Sequence, residues 1–161
     1  MNGIIRVGMA DYKICHAPQK IGTLGLGSCL GVVLYDDSTK ICGLAHVMLP
    51  DSKKITHNAN RMKFVDTCLD DMYRDLLVEM VDPKKLVAKI AGGAKMFSQD
   101  SDNEFLNIGA QNYVAAVRKL AEFRIPVVAE DVGKTFSRTI EFDPETGMLG
   151  IKAVGIGKYL I

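Results

Sequence analysis

The chain has 161 residues, 48% of them hydrophobic and 24% charged, and 20 basic against 19 acidic side chains leave a formal charge of +1. A chain of this length can bury roughly two-thirds of its unfolded surface, so it reads as one compact domain over 1–161 that needs neither disulfides nor a structural metal. The near-neutral balance, with no basic run, gives no electrostatic footprint for nucleic acid or a polybasic membrane patch, and no apolar window of about 18 residues offers a membrane insertion or export segment.

The first third of the chain reads as strands around residues 4–9, 12–16, 30–36 and 41–49, rich in Ile, Val, Leu and Tyr, with Asp36-Asp37-Ser38-Thr39 as a hairpin connection. From Asn60 to Met80 the period changes. Met62, Val65, Leu69, Met72, Leu76 and Met80 recur at three- and four-residue intervals, which predicts an amphipathic helix closed by Asp82-Pro83. Leu86 to Ala91 reads as a buried strand ending at Gly92-Gly93, and Ser98 to Glu104 as a surface loop. A second helix fits Ala110 to Arg124, begun by Asn107 or Gly109, with Val114, Val117, Leu120 and Ala121 on its apolar face. Strands at 125–129, 138–142 and 148–154 complete the chain, the last two joined by the turn Asp143-Pro144-Glu145-Thr146-Gly147. Many strands with two long helices predict an α/β layered sandwich of mostly antiparallel or mixed sheet rather than a dinucleotide-binding fold.

The segment Gly22-Thr23-Leu24-Gly25-Leu26-Gly27-Ser28-Cys29-Leu30-Gly31 invites comparison with a phosphate-binding loop. Its glycines give G-x-G-x-x-x-G instead of G-x-G-x-x-G, a strand follows where a helix is required, and no Lys-Ser or Lys-Thr follows for a P-loop. The glycines instead allow a sharp turn that presents Cys29 at the start of a strand beside bare amides. Cys29 then has two readings, a small packed hydrophobe or a nucleophile, and a base decides between them.

His46 is the candidate base. It sits in Ile41-Cys42-Gly43-Leu44-Ala45-His46-Val47-Met48-Leu49-Pro50, where nothing else but the Cys42 thiol can ionise. A neutral core histidine bonded to a carbonyl is the plain alternative. Alternation puts Leu44, His46 and Met48 on one face, so a hairpin from 30–36 into 41–49 can return His46 towards Cys29, with Thr23 upstream to orient the imidazole. A cysteine beside a histidine can act as a thiolate near neutral pH, which suits acyl transfer. The remaining cysteines, Cys15, Cys42 and Cys68, read as packed thiols of a cytosolic protein, too irregularly spaced for a disulfide framework. Cys15 and His16 are adjacent and point to opposite sides of a strand, and no C-x-x-C or H-x-x-x-H spacing occurs, so no metal or other cofactor is expected. His57, among polar neighbours, reads as solvated.

These residues resemble the chemoreceptor glutamine deamidase family, CheD. The resemblance runs through Thr23-Leu24-Gly25-Leu26-Gly27-Ser28-Cys29, Ala45-His46-Val47-Met48-Leu49-Pro50, Gly92-Gly93-Ala94-Lys95-Met96-Phe97, Asn107-Ile108-Gly109 with Asn112, Ala129-Glu130-Asp131-Val132-Gly133 and Thr146-Gly147. It implies a fold similar to the catalytic domain of cytotoxic necrotizing factor toxins, with Cys29 as nucleophile, His46 as general base and then acid, and Thr23 as the residue that holds the imidazole. Amides around Gly27, Ser28 and Cys29 would stabilise the oxyanion. The implied substrates are glutamine side chains of methyl-accepting chemotaxis receptors in the cytoplasm, and the implied further partner is a CheC-type phosphatase. Gln111, Lys134 and Ser137 depart from the family pattern, the first where arginine is frequent and the others where glycine is common. Two other readings are a non-enzymatic chemotaxis adaptor that stimulates the phosphatase and a thiol protease.

Overall fold

A computed structural model describes residues 3–54, 60–96 and 107–161. His57 and the Ser98–Glu104 loop lie outside them. In chain order the elements are β1 (Ile4–Arg6), β2 (Asp11–His16), β3 (Lys20–Leu26), β4 (Leu30–Asp36), β5 (Ile41–Val47), α1 (Val65–Val78), β6 (Val87–Gly92), α2 (Ile108–Phe123), β7 (Val127–Val132), β8 (Arg138–Asp143), β9 (Met148–Ala153) and β10 (Gly157–Leu160).

The strands form two five-stranded sheets, ordered β1-β3-β8-β9-β10 and β2-β5-β4-β6-β7. Each is mixed: β1 runs parallel to β3 and β7 parallel to β6, while the other pairings are antiparallel. The second sheet is the middle layer. One of its faces carries Val33, Cys42, Leu44 and Ala91 against Ile21, Leu26, Ile140 and Phe142 of the first sheet. The other carries Val32, Leu34, Ala45, Val47 and Ile90 against Val65, Leu69, Met72, Ala116 and Leu120 of the two helices. Burial on both faces is why Leu30–Leu34 and most of β5 are apolar at every position instead of at alternate ones. The layered α/β sandwich expected from the sequence is the observed architecture.

Several boundaries and faces differ from the sequence expectation. Lys20–Leu26 is a strand, so most of the glycine-rich segment belongs to a sheet and only Gly27–Cys29 turns into β4. Glycines at 22, 25 and 27 hid it, because they lower strand propensity. A register irregularity between Thr23 and Leu26, with Gly25 at φ 64°, absorbs the bend. Strand β10 was not anticipated, and β7 extends to Val132. Helix α1 starts at Val65, after a single 3-10 turn at Arg61–Lys63, and stops at Val78. Met80, which follows at φ 68°, is therefore 86% exposed although it continues the apolar spacing. Helix α2 is capped by the Asn107 side chain, which accepts from the Ala110 N–H at 3.2 Å. Its buried face is Gly109, Asn112, Ala116 and Leu120. Of the face read from the sequence only Leu120 is buried, while Val114 is 52% and Val117 37% exposed and Ala121 faces solvent.

Buried Arg138 ties the end of the first sheet to the loop after β7. It bonds the Asp131 carboxylate at 3.0 Å and the Gly133 carbonyl at 3.0 Å, and stacks 4.5 Å over the Phe136 ring. Gly133 N–H in turn donates to Gly92 O at 2.9 Å. Gly92 adopts φ 106°, and a Cβ there would lie 2.4 Å from the carbonyl oxygen of Cys29. Gly92→Ala combines backbone strain with a clash against main chain, and should lower unfolding free energy by about 2–4 kcal/mol. Gly133→Ala, at φ 75° with open space around the Cβ, should cost only about 1–2 kcal/mol. Urea titration of the two variants tests the ranking.

Candidate functional site

The site forms where the two sheets meet. His46 on β5 is paired directly with Gly31 on β4, and paired residues of an antiparallel ladder share a face. That face looks towards the first sheet. A Cβ at Gly31 would lie 2.7 Å from Ile140 Cδ1, so glycine here lets the first sheet approach. Thr23 on β3 reaches across, and its Oγ1 lies 2.7 Å from His46 Nδ1 and 2.7 Å from the Val7 carbonyl oxygen. Both side chains are buried.

These two contacts determine the tautomer. A carbonyl only accepts, so the single Thr23 hydroxyl proton goes to Val7 O, and His46 must donate its Nδ1–H to Thr23 Oγ1. The lone pair is left on Nε2. That atom is buried and has no hydrogen-bond partner among the described residues. Burial pushes the His46 pKa below its ordinary 6.5, so the imidazole is neutral at physiological pH.

Cys29 lies in the turn two residues before Gly31, on the inter-sheet side that His46 also faces. It is partly buried and packs against the inter-sheet core. Burial raises its thiol pKa above the ordinary 9.0, and its own backbone N–H, which lies against the sulfur, offsets part of that rise. Thiol and imidazole are thus both neutral at rest, in place of the resting thiolate that a cysteine-histidine pair suggests. A neutral hydroxyl behind the histidine agrees with this, because it orients the ring without the charge that would stabilise an imidazolium.

The turn before β4 is held through three consecutive carbonyls. Gly27 O accepts from the Ala94 N–H at 2.9 Å, Ser28 O from Asn112 Nδ2 at 3.0 Å, and Cys29 O from the Gly93 N–H at 2.9 Å. The sequence reading offered the glycines on either side, but it did not show that Gly92–Ala94 and Asn112 grip the turn. The signal was the Gly92-Gly93 pair, where φ values of 106° and 65° let the backbone bend onto Cys29.

The other thiols lie apart from this arrangement. Cys15 and Cys42 are cross-strand neighbours, and Cys68 is on the buried face of α1 with its pKa raised to about 12 by burial. A cleft of 360 Å³ opens next to the clamp, lined by Gly93, Lys95, Asn107, Tyr113, Gly133 and Lys134. Lys134 holds a left-handed φ of 63°, a conformation that favours glycine. A larger groove of 870 Å³, flanked by Lys53, Arg61, Arg118 and Lys119, lies on the helical layer, and none of Thr23, Cys29 and His46 lines it. Among the described residues no three His, Cys, Asp or Glu side chains gather as a metal site would need.

Comparison with known proteins gives the following. Residues 48–153 match the family described as CheD chemotactic sensory transduction. A probable chemoreceptor glutamine deamidase CheD of Lachnoclostridium phytofermentans is 52% identical over 155 residues, covering 96% of each chain. The chemoreceptor glutamine deamidase CheD of Halalkalibacterium halodurans is 50% identical, with 98% of each chain covered. That of Bacillus subtilis is 45% identical over 98% of this chain and 96% of its own.

The neutral resting pair has a direct chemical consequence. Alkylation of Cys29 by iodoacetamide, followed by peptide mass spectrometry, should be slow at pH 7 and rise with an apparent pKa above the ordinary 9.0. A midpoint below that value would mean that the imidazolium already holds a thiolate.

Proposed function

This chain belongs to the CheD family of chemoreceptor glutamine deamidases, and from that premise we propose that Cys29, His46 and Thr23 form its catalytic triad. The overall reaction is hydrolysis of glutamine side chains on chemoreceptors to glutamate with release of ammonia. The observation that carries the triad is the buried Thr23–His46 bond, which leaves an unpartnered Nε2 lone pair on the inter-sheet side, where Cys29 also packs.

In the proposed sequence His46 Nε2 takes the Sγ proton of Cys29 as the sulfur attacks the glutamine Cδ. The carbonyl π pair moves to oxygen, where the Cys29 N–H and the neighbouring turn amide of Ser28 stabilise it. Collapse breaks the C–N bond, and the proton on Nε2 leaves with the nitrogen as ammonia. A water molecule then gives one proton to Nε2 while its oxygen attacks the thioester. The C–S bond breaks, the sulfur recovers the proton, and glutamate is released.

Thr23 takes no proton in this scheme. By accepting from Nδ1–H it keeps the lone pair on Nε2 through both halves of the reaction. Starting from neutral groups also avoids a standing charge pair in a half-buried site, where charge separation costs most unless the oxyanion forms at the same moment.

The substrate side of the reading follows from charge. With a net charge of +1 the enzyme has little long-range field, so we propose recognition of a receptor helix through local shape. Because those helices are the cytoplasmic parts of methyl-accepting receptors, we propose that the protein acts in the cytoplasm. No helix among the described residues is long and apolar enough to cross a membrane. A CheC-type phosphatase is proposed as a second partner whose binding does not draw on the chemistry, so Cys29→Ala should leave that interaction intact.

The triad is tested by mass-spectrometric conversion of glutamine to glutamate in a receptor fragment. Cys29→Ala should abolish conversion, and His46→Ala should lower kcat/KM by about 10²–10⁴-fold, the usual worth of a general base. Thr23→Val should cost about tenfold, equivalent to one neutral hydrogen bond of ~1.4 kcal/mol. Because burial lowers the His46 pKa, its basic form persists into acid, so the acid limb of kcat/KM should fall below 6.5. Conversion that survives Cys29→Ala, or that runs at the parent's rate in His46→Ala, would overturn the triad.

A further inference from the structure

Asn112 is fully buried on α2, and the reaction as written makes no use of it. Its Nδ2 donates to Ser28 O at 3.0 Å and to Met48 O at 3.1 Å. Both amide hydrogens are therefore committed, and Oδ1 is left buried with no partner among the described residues. An orphaned acceptor is a penalty that an apolar side chain would avoid, so packing alone does not account for an asparagine at this position.

The amide joins two segments distant in sequence but adjacent in the site. Ser28 immediately precedes Cys29, and Met48 lies two residues beyond His46. The Ser28 carbonyl and the Cys29 N–H belong to one planar trans peptide and so point in opposite directions. Drawing the carbonyl towards α2 turns the N–H the other way, away from the helix and towards the inter-sheet side on which Cys29 packs. The carbonyls on either side are held by main-chain N–H groups of Ala94 and Gly93. Of the three, the central peptide, which bears the Cys29 N–H donor, is the one that depends on a side chain.

We propose that Asn112 is a positioning residue for deamidation: anchored on Met48, it fixes the Ser28–Cys29 peptide so that the Cys29 N–H is aimed at the oxyanion. This rests on the Cys29 and His46 reading above. Asn112 touches neither the thiol nor the substrate. Its loss should act on the transition state and leave substrate binding alone.

The test compares Asn112→Leu, which keeps the volume but removes both donors, with the parent enzyme on a chemoreceptor cytoplasmic fragment. Asn112→Ala is read in the same way and serves if the leucine variant does not fold. Removing an oxyanion donor costs about 10²–10³-fold in kcat, so misaiming one should cost about tenfold or more with KM unchanged. Iodoacetamide alkylation of Cys29 passes through no oxyanion and feels the Cys29 N–H only through the thiol pKa, so on the alkaline plateau, where the thiol is fully ionised, its rate should stay within about twofold of the parent's. A kcat equal to the parent's overturns the proposal. So does a parallel loss of kcat, Cys29 alkylation and melting temperature, which would make Asn112 a purely structural clamp. Cys29→Ala is run alongside. If it still deamidates, the underlying triad reading fails, whereas an inactive Cys29→Ala beside a fully active Asn112 variant refutes the positioning role alone.

Discussion

A threonine hydroxyl has one proton to give, and at Thr23 the Val7 carbonyl takes it. His46 must then donate through Nδ1, and its free lone pair is committed to Nε2. The bond spans the gap between two sheets, so it exists only if both have their present register. A slip of one residue in β5 would move His46 to the helical face of its sheet, and the same slip in β3 would withdraw Thr23. Sheet packing, histidine tautomer and chemistry are therefore one constraint.

Burial governs how the pair of reactive groups behaves. The same desolvation that lowers the His46 pKa raises that of Cys29, so the two shifts pull apart and hold both groups neutral. An enzyme with a carboxylate behind its histidine can store a charged pair at rest. Here the group behind the histidine is an uncharged hydroxyl, and in the proposed mechanism charge develops together with the oxyanion. Such a site relies on donors already in place, which is consistent with a turn whose three carbonyls are all tied down.

The layered fold was legible because the signals for it are local. Period-two and period-three-to-four patterns, Asp82-Pro83 and the turn at Asp143–Gly147 mark strands, helices and boundaries through nearest neighbours along the chain. Where the local signal misled, a backbone or polar requirement had overridden it. The glycines of β3 concealed a strand, since glycine weakens strand propensity but is needed at the bulge. Val114 and Val117 pointed to the wrong face of α2 because the inward position belongs to Asn112, which is polar and invisible to a search for apolar stripes. Met80 continues a spacing after the helix that gave it meaning has ended.

Cys29, His46 and Thr23 could be picked out from the sequence alone, because a thiol at a glycine-rich turn and a lone histidine in an apolar strand are conspicuous one residue at a time. The sequence also determined that the chain is near-neutral and closes into layers. What only the tertiary structure decided is which atom of His46 carries the lone pair, that thiol and imidazole rest neutral, and that Asn112 and Gly92–Ala94 hold the turn. Each of these depends on burial or on hydrogen bonds between residues far apart in the chain, and such bonds have no period for a sequence to display.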